Sequence, residues 1–144
     1  MPIITPSDLS THIYPEIVSE ITRTDNTIVT NAINTAVHEA KMYLSRYDLV
    51  ALFGTDTTAP TVTDQYLQSI VKDITCWHII RLSNVNVDSS LYRNNYYDAL
   101  EALKNIMKGN ANPDGWPYKD TTAESVPDGD SISWTSNDQR ENAY

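Results

Sequence analysis

The sequence predicts an all-α protein: a small bundle of three long helices, with short N-terminal helices before it and an extended C-terminal arm after it. Apolar residues recur every three or four positions through three long segments, which is the period of an amphipathic helix. Residues that cap helices stand at the borders of these segments. The last quarter of the chain is rich in Pro, Gly, Asp, Ser and Thr, a composition that cannot form a core alone. We therefore expect a helical domain over residues 1–110 and an acidic extended arm over residues 111–144.

The N-terminal part predicts two short helices and one long helix. Pro6 and Pro15 are suited to the first turn of a helix, and the short helices can extend to Leu9 and Ile21. Asp25 can cap the first long helix, which the apolar period places over residues 26–47. The apolar positions of this helix are Ile28, Val29, Ala32, Ile33, Ala36, Val37, Ala40, Tyr43, Leu44 and Tyr47. Its alanines indicate that another helix approaches closely.

Two more long helices follow. Residues 48–60 break the period and predict an extended stretch followed by a loop. Thr63 or Asp64 begins the second long helix, and Asp88 or Ser89 begins the third, which Gly109 ends. Five side chains of the three long helices are expected in the core: Ile33, Leu44, Trp77, Leu100 and Leu103.

Charge and composition exclude several classes of function. The chain of 144 residues carries a net charge of −9, which argues against binding nucleic acid through the surface, because such binding needs Lys and Arg to neutralise phosphates. No apolar run approaches the ~20 residues of a membrane-spanning helix. The absence of such a run also predicts that the protein does not associate with a membrane. The N-terminus lacks the pattern of a signal peptide, and Cys76 is the only cysteine, so we expect a cytoplasmic protein.

The pair His38-Glu39 matches the first half of the HExxH zinc motif. The motif needs a second histidine four residues after the first, and this chain has Met42 there. A thioether is too soft and too weakly basic to replace that imidazole. We therefore expect His38 to be a surface histidine and its helix to be a scaffold.

Other patterns that could support chemistry are incomplete. Cys76 and His78 form at most half of a metal site, and no second ligand cluster completes it. None of the four glycines belongs to a phosphate-binding loop, and no serine stands in a nucleophile elbow. The sequence thus predicts no catalytic residue, no metal site and no cofactor, and the protein is not expected to be an enzyme.

Two charged residues beside the apolar stripes suggest a structural contact. Arg46 flanks the stripe of the first long helix, and Asp73 borders that of the second. We expect an ion pair between Arg46 and Asp73 that holds the end of the first long helix. The alternative is two solvated charges, whose pairing would contribute only ~0–1 kcal/mol.

The C-terminal arm combines acidic residues with large apolar ones. Residues 111–144 hold seven acidic and two basic side chains. Large aromatic side chains on a polar segment can anchor it in the pockets of a partner, and the run "SISWTS" could add a strand to a neighbour. The expected partner-binding residues are Trp116, Tyr118, Ile132, Trp134 and Tyr144. The alternative is an arm that folds back on its own bundle.

Three segments in order resemble a known family. They are "YLSRYDL" at 43–49, "IVKDITCWHIIRL" at 70–82 and "RNNYYDALEALKNIMKG" at 93–109. Their spacing is similar to that of the head–tail connector (adaptor) proteins of Mu-like phages and prophages, and the resemblance covers roughly residues 7–112. Two positions depart from the family pattern: Val50 stands where the family commonly has proline, and Thr75 stands where it has alanine.

The resemblance implies a structural role in a virion. Connector proteins form a ring beneath the portal and link the capsid to the tail, so it implies a homo-oligomeric ring of about 12 copies. The implied partners are the portal protein and other neck or tail proteins, with DNA passing through unbound. The implied location is the neck of the virion, after synthesis in the host cytoplasm. Two alternatives come from other classes: a small soluble helical binding or regulatory module, and a metal-dependent hydrolase built around His38 and Glu39.

Overall fold

The computed structural model describes residues 2–82 and 88–119, and these residues form six helices and no β-strand. A 3-10 helix, Pro6–Thr11, comes first. It is followed by α1 (Pro15–Thr22), α2 (Asn26–Tyr43), α3 (Leu49–Phe53), α4 (Gln65–Ile80) and α5 (Ser90–Lys108). The predicted all-α class is confirmed, with α2, α4 and α5 as the three principal packed helices.

The helix borders follow from local chemistry. The side chains of Asp25, Asp48 and Asp64 each accept hydrogen bonds from backbone N–H groups in the first turn of α2, α3 and α4. These N–H groups have no partner within their own helix, so the caps stabilise the helix starts. Helix α5 ends at Gly109, whose φ of 84° lies in the left-handed region that glycine adopts without strain.

The region between α2 and α4 differs from the sequence-based expectation. The apolar period predicts that the first long helix extends to residue 47 and that an extended stretch follows. Instead, α2 ends at Tyr43, and residues 49–53 form the short helix α3. The physical reason is the Asp48 carboxylate, which accepts hydrogen bonds from the N–H groups of Val50 and Ala51 and so starts a new helix.

The core lies between the three principal helices. Helix α4 packs along both α2 and α5. Ala36 and Ala40 of α2 are fully buried, which confirms the close helix approach that the alanines predicted. Ile33, Leu44 and Leu103 are buried as expected, whereas Trp77 and Leu100 are only half-buried. The N-terminal segment contributes Ile4 and Leu9 to the same core, each 1% exposed.

The first residues after α5 also pack on the bundle. Trp116 is 5% exposed and belongs to the buried core, although it lies beyond the end of the last helix. The described part of the predicted arm, residues 111–119, therefore lies against the helical domain. Within the described ranges, no helix is both long enough and apolar enough to cross a membrane.

Candidate functional site

His38 and Glu39 point in different directions from α2. His38 is exposed, and so is Met42, at 70%. Glu39 turns inward, with its side chain 17% exposed. The residues that begin the HExxH motif therefore have separate environments, and only Glu39 takes part in a network of contacts.

Glu39 joins the three principal helices through its carboxylate. Oε1 lies 2.9 Å from Nε2 of His78 on α4, and Oε2 accepts a hydrogen bond of 2.6 Å from the hydroxyl of Tyr96 on α5. The His78 side chain is 12% exposed. Hydrogen bonds to a charged carboxylate are stronger than those between neutral groups. This polar network therefore fixes the relative positions of α2, α4 and α5.

The network has the properties of a structural contact. Burial, followed by the hydrogen bond to Glu39, raises the pKa of Tyr96 far above its usual value, so its hydroxyl remains a proton donor. The Tyr96 ring also stacks on Trp77, with ring centroids 5.9 Å apart. In the part of the chain that the structure describes, no group of three or more His, Cys, Asp or Glu side chains is arranged to hold a metal ion.

A second polar cluster surrounds His12, after the 3-10 helix. Its Nδ1 lies 2.8 Å from Thr11 Oγ1, and its Nε2 lies 3.1 Å from Ser69 Oγ. Oδ1 of Asp73 is 3.7 Å from the same Nε2. A Ser-His-Asp triad requires serine and aspartate on opposite ring nitrogens, so that the aspartate orients the ring while the serine loses its proton. Here both face Nε2, and the arrangement does not support nucleophilic catalysis.

Burial changes the proton affinities around His12. Burial, followed by the charge of Lys72, lowers the pKa of His12. Burial, followed by the negative charge of the nearby Asp98, raises the pKa of Asp73 to about 6.

Burial also raises the pKa of the Cys76 thiol to about 12, so at neutral pH it is a protonated and unreactive group. Cys76 is a free and buried cysteine.

The predicted Arg46–Asp73 ion pair is absent from the structure, which gives each residue a different partner. Arg46 Nη2 donates hydrogen bonds to the carbonyl oxygens of Ile106, at 3.1 Å, and Met107. The last carbonyls of a helix have no partner within it and carry partial negative charge, which explains why a guanidinium binds there. Asp73 instead lies beside His12.

Residues 111–119, which we name the strap, cross back to the segment that follows α2. The N–H of Asp48 donates to the carbonyl of Pro117 at 2.9 Å, and the N–H of Lys119 donates to the carbonyl of Arg46 at 2.9 Å. These two bonds flank an antiparallel bridge between Tyr47 and Tyr118. Side chains approach closely in such a non-hydrogen-bonded pair, and here the two rings stack with centroids 5.1 Å apart.

Trp116 fixes the strap to the bundle. Its indole N–H donates to the second carboxylate oxygen of Asp64, whose first oxygen caps α4. Its ring meets Tyr47 edge-on, with centroids 5.4 Å apart. For Trp116 the structure thus has the alternative arrangement, an arm that folds back on its own chain. Tyr118 remains 60% exposed. Ile132, Trp134 and Tyr144 lie outside the described residues.

Sequence reasoning missed the Glu39–His78–Tyr96 network and the contact of Arg46 with α5. The available signal was weak: Glu39 and His78 are polar residues beside apolar stripes. Their convergence depends on helix packing, which periodicity does not specify.

No protein-family model matches the chain, and no curated protein sequence matches it at a significant level.

Proposed function

We propose that the protein is a head–tail connector of a Mu-like phage or prophage, which assembles as a ring beneath the portal and links capsid to tail. The proposal starts from the three segments that resemble this family. The observation that carries it further is that the first and third of these segments bind each other directly.

The contact joins residues that are distant in sequence. Arg46 of the first segment donates to the carbonyl oxygens of Ile106 and Met107 in the third. A Cβ atom at Gly109 would lie 3.8 Å from Arg46 Nη1, so the final glycine of the third segment lies beside the same guanidinium. The arginine and the helix-ending glycine therefore serve one structural purpose, the docking of the end of α5 beside the end of α2.

The second segment supplies the helix between the other two. Ile74 and Cys76 are buried in the core, and His78 carries the hydrogen bond to Glu39. The three segments thus contribute to one packed unit, which supports treating their order and spacing as a single signature. A ring protein also needs two different contact patches on each protomer. The net charge of −9 suits a channel through which DNA passes without being held.

The function can be tested by deleting the gene from the phage or prophage that encodes the chain. Loss of a connector should leave DNA-filled heads and separate tails, which electron microscopy of induced lysates distinguishes from complete virions. Complementation by the wild-type gene should restore joined particles. The His38→Ala variant, changed at an exposed side chain outside the three segments, should restore them equally well.

The alternative functions predict other results. A small regulatory module would be absent from purified particles, and its deletion would change the amount of virions rather than leave heads and tails unjoined. Complete, infectious particles without the protein would refute the connector proposal.

A further inference from the structure

One exposed face of α5 carries a charged and aromatic pattern with an internal symmetry. Arg93, Tyr97 and Glu101 follow each other at intervals of four residues, which places them on one ridge of the helix. All three are exposed, and Tyr97 is 52% exposed. The guanidinium of Arg93 lies over the Tyr97 ring, 5.5 Å from its centroid.

The order of the three side chains is cation, aromatic ring, anion. Successive positions are about 6 Å apart along the helix axis, so Arg93 and Glu101 lie at equal distances on either side of Tyr97. Neither charge forms an ion pair within 4 Å inside residues 2–82 and 88–119. Tyr and Arg are the residue types that most often dominate binding at protein interfaces.

This pattern is complementary to itself when the helix is reversed. We propose that two copies of the chain associate through an antiparallel α5–α5 contact whose two-fold axis passes beside Tyr97. Arg93 of each protomer then faces the partner's Glu101, and the two Tyr97 rings meet at the axis. The contact is isologous, because the same three residues serve on both sides.

The contact is expected to be weak and reversible. A face one helix wide buries less than the ~1,200 Å² of total surface that stable complexes exceed. Two exposed ion pairs contribute little individually, and salt screens them over about 10 Å at 0.1 M ionic strength. We therefore expect a dimer that forms at high protein concentration and dissociates as salt is added. This inference does not depend on the proposed function, since a ring requires a contact between two different patches.

Sedimentation equilibrium of the full-length protein over a wide concentration range tests the proposal. The wild type should show a monomer–dimer equilibrium. In a dimer of the Arg93→Glu variant, both ion pairs would be replaced by glutamate–glutamate contacts. In a dimer of the Glu101→Arg variant, both would be replaced by arginine–arginine contacts. Each variant alone should therefore remain monomeric. Matched controls with the same change of net charge are Lys41→Glu on α2 and Glu16→Arg on α1, which should dimerise as the wild type does.

Mixing the two charge variants gives the decisive result. In a mixed pair, both glutamates of the R93E protomer would face the two arginines of the E101R protomer, so the mixture should dimerise although neither component does. The double variant R93E/E101R should dimerise as well. A wild-type protein that is monomeric at every concentration would overturn the proposal. Dimers of either single variant, or a mixture that stays monomeric, would overturn it equally.

Discussion

Removing the Glu39 carboxylate should destabilise the bundle far more than removing its exposed neighbour. Glu39→Ala takes away the acceptor for both His78 and Tyr96, whose donors lie 2.9 Å and 2.6 Å from the two carboxylate oxygens. Both partners are largely enclosed by the three principal helices. The variant therefore leaves two donors with poor access to water and no partner from the chain.

The expected magnitude follows from the number of lost bonds. A buried donor or acceptor left without a partner costs about 1–3 kcal/mol. Partial exposure of the site reduces this cost, so for two donors we expect Glu39→Ala to lower the free energy of unfolding by about 2–4 kcal/mol. His38→Ala is the matched control, because it places the same residue at the adjacent, exposed position of α2. Its effect should stay within about 0.5 kcal/mol.

Urea denaturation at pH 7, followed by circular dichroism, measures both variants under the same conditions. Tyr96→Phe should cause a smaller loss than Glu39→Ala, because it removes one of the two hydrogen bonds. In a double-mutant cycle, Glu39→Ala and Tyr96→Phe should show a coupling free energy above about 0.5 kcal/mol, as expected for residues in direct contact. Equal losses for Glu39→Ala and His38→Ala would refute the idea that the network joins the helices.

Four other measurements test separate parts of the structure. Because burial raises the pKa of Asp73 to about 6, the folded state binds more protons than the unfolded state between about pH 4 and pH 6, and stability falls as pH rises through that window. Asp73→Asn should abolish this fall and raise the free energy of unfolding at pH 7 by about 2–3 kcal/mol, since each pKa unit corresponds to about 1.4 kcal/mol. If the variant and the wild type showed the same dependence of the unfolding free energy on pH, this reasoning would be contradicted. The Cys76 thiol should react with a thiol reagent only after unfolding, and rapid labelling of native protein would show that it is accessible. A chelator should leave the melting temperature of the protein unchanged. A drop of several degrees would support a zinc site at His38 and Glu39. Truncation after Lys119 should leave the bundle stable, whereas truncation after Gly109 should destabilise it, because removing a buried aromatic side chain such as that of Trp116 typically costs about 3–5 kcal/mol. Equal melting temperatures of the two truncated proteins would show that the strap does not stabilise the bundle.

The helices were predictable because their signals are local. The period of the apolar residues and the caps Asp25, Asp64 and Gly109 depend on neighbours within one or two turns. The same reasoning placed Ile33 and Leu103 in the core correctly. It overestimated the burial of Leu100, because a side chain at the border of a stripe is covered only if a neighbouring element reaches it.

The contacts between distant residues were not predictable in the same way. The sequence predicts that Arg46 pairs with the carboxylate of Asp73, but the carbonyls of Ile106 and Met107 at the end of α5 offer it two acceptors. Sequence patterns give no direct signal for such backbone acceptors, because every residue has a carbonyl. The end of α2 was also misjudged, since Tyr47 is apolar and in period but pairs with Tyr118 outside the helix.

Trp116 shows how composition can mislead. Residues 111–119 have the polar, proline- and glycine-containing composition of an arm. The strap is nevertheless held on the bundle by the indole of Trp116, by two backbone hydrogen bonds and by the stacked rings of Tyr47 and Tyr118. Asp64 provides both the cap of α4 and the acceptor for the indole N–H, so the start of α4 and the position of the strap depend on the same carboxylate. Trp116 is buried on its own bundle, whereas Tyr118 of the strap is 60% exposed and so remains open to a partner. Trp116 makes buried contacts to Tyr47 and Asp64. A partner that displaced the strap would have to provide equivalent contacts in their place.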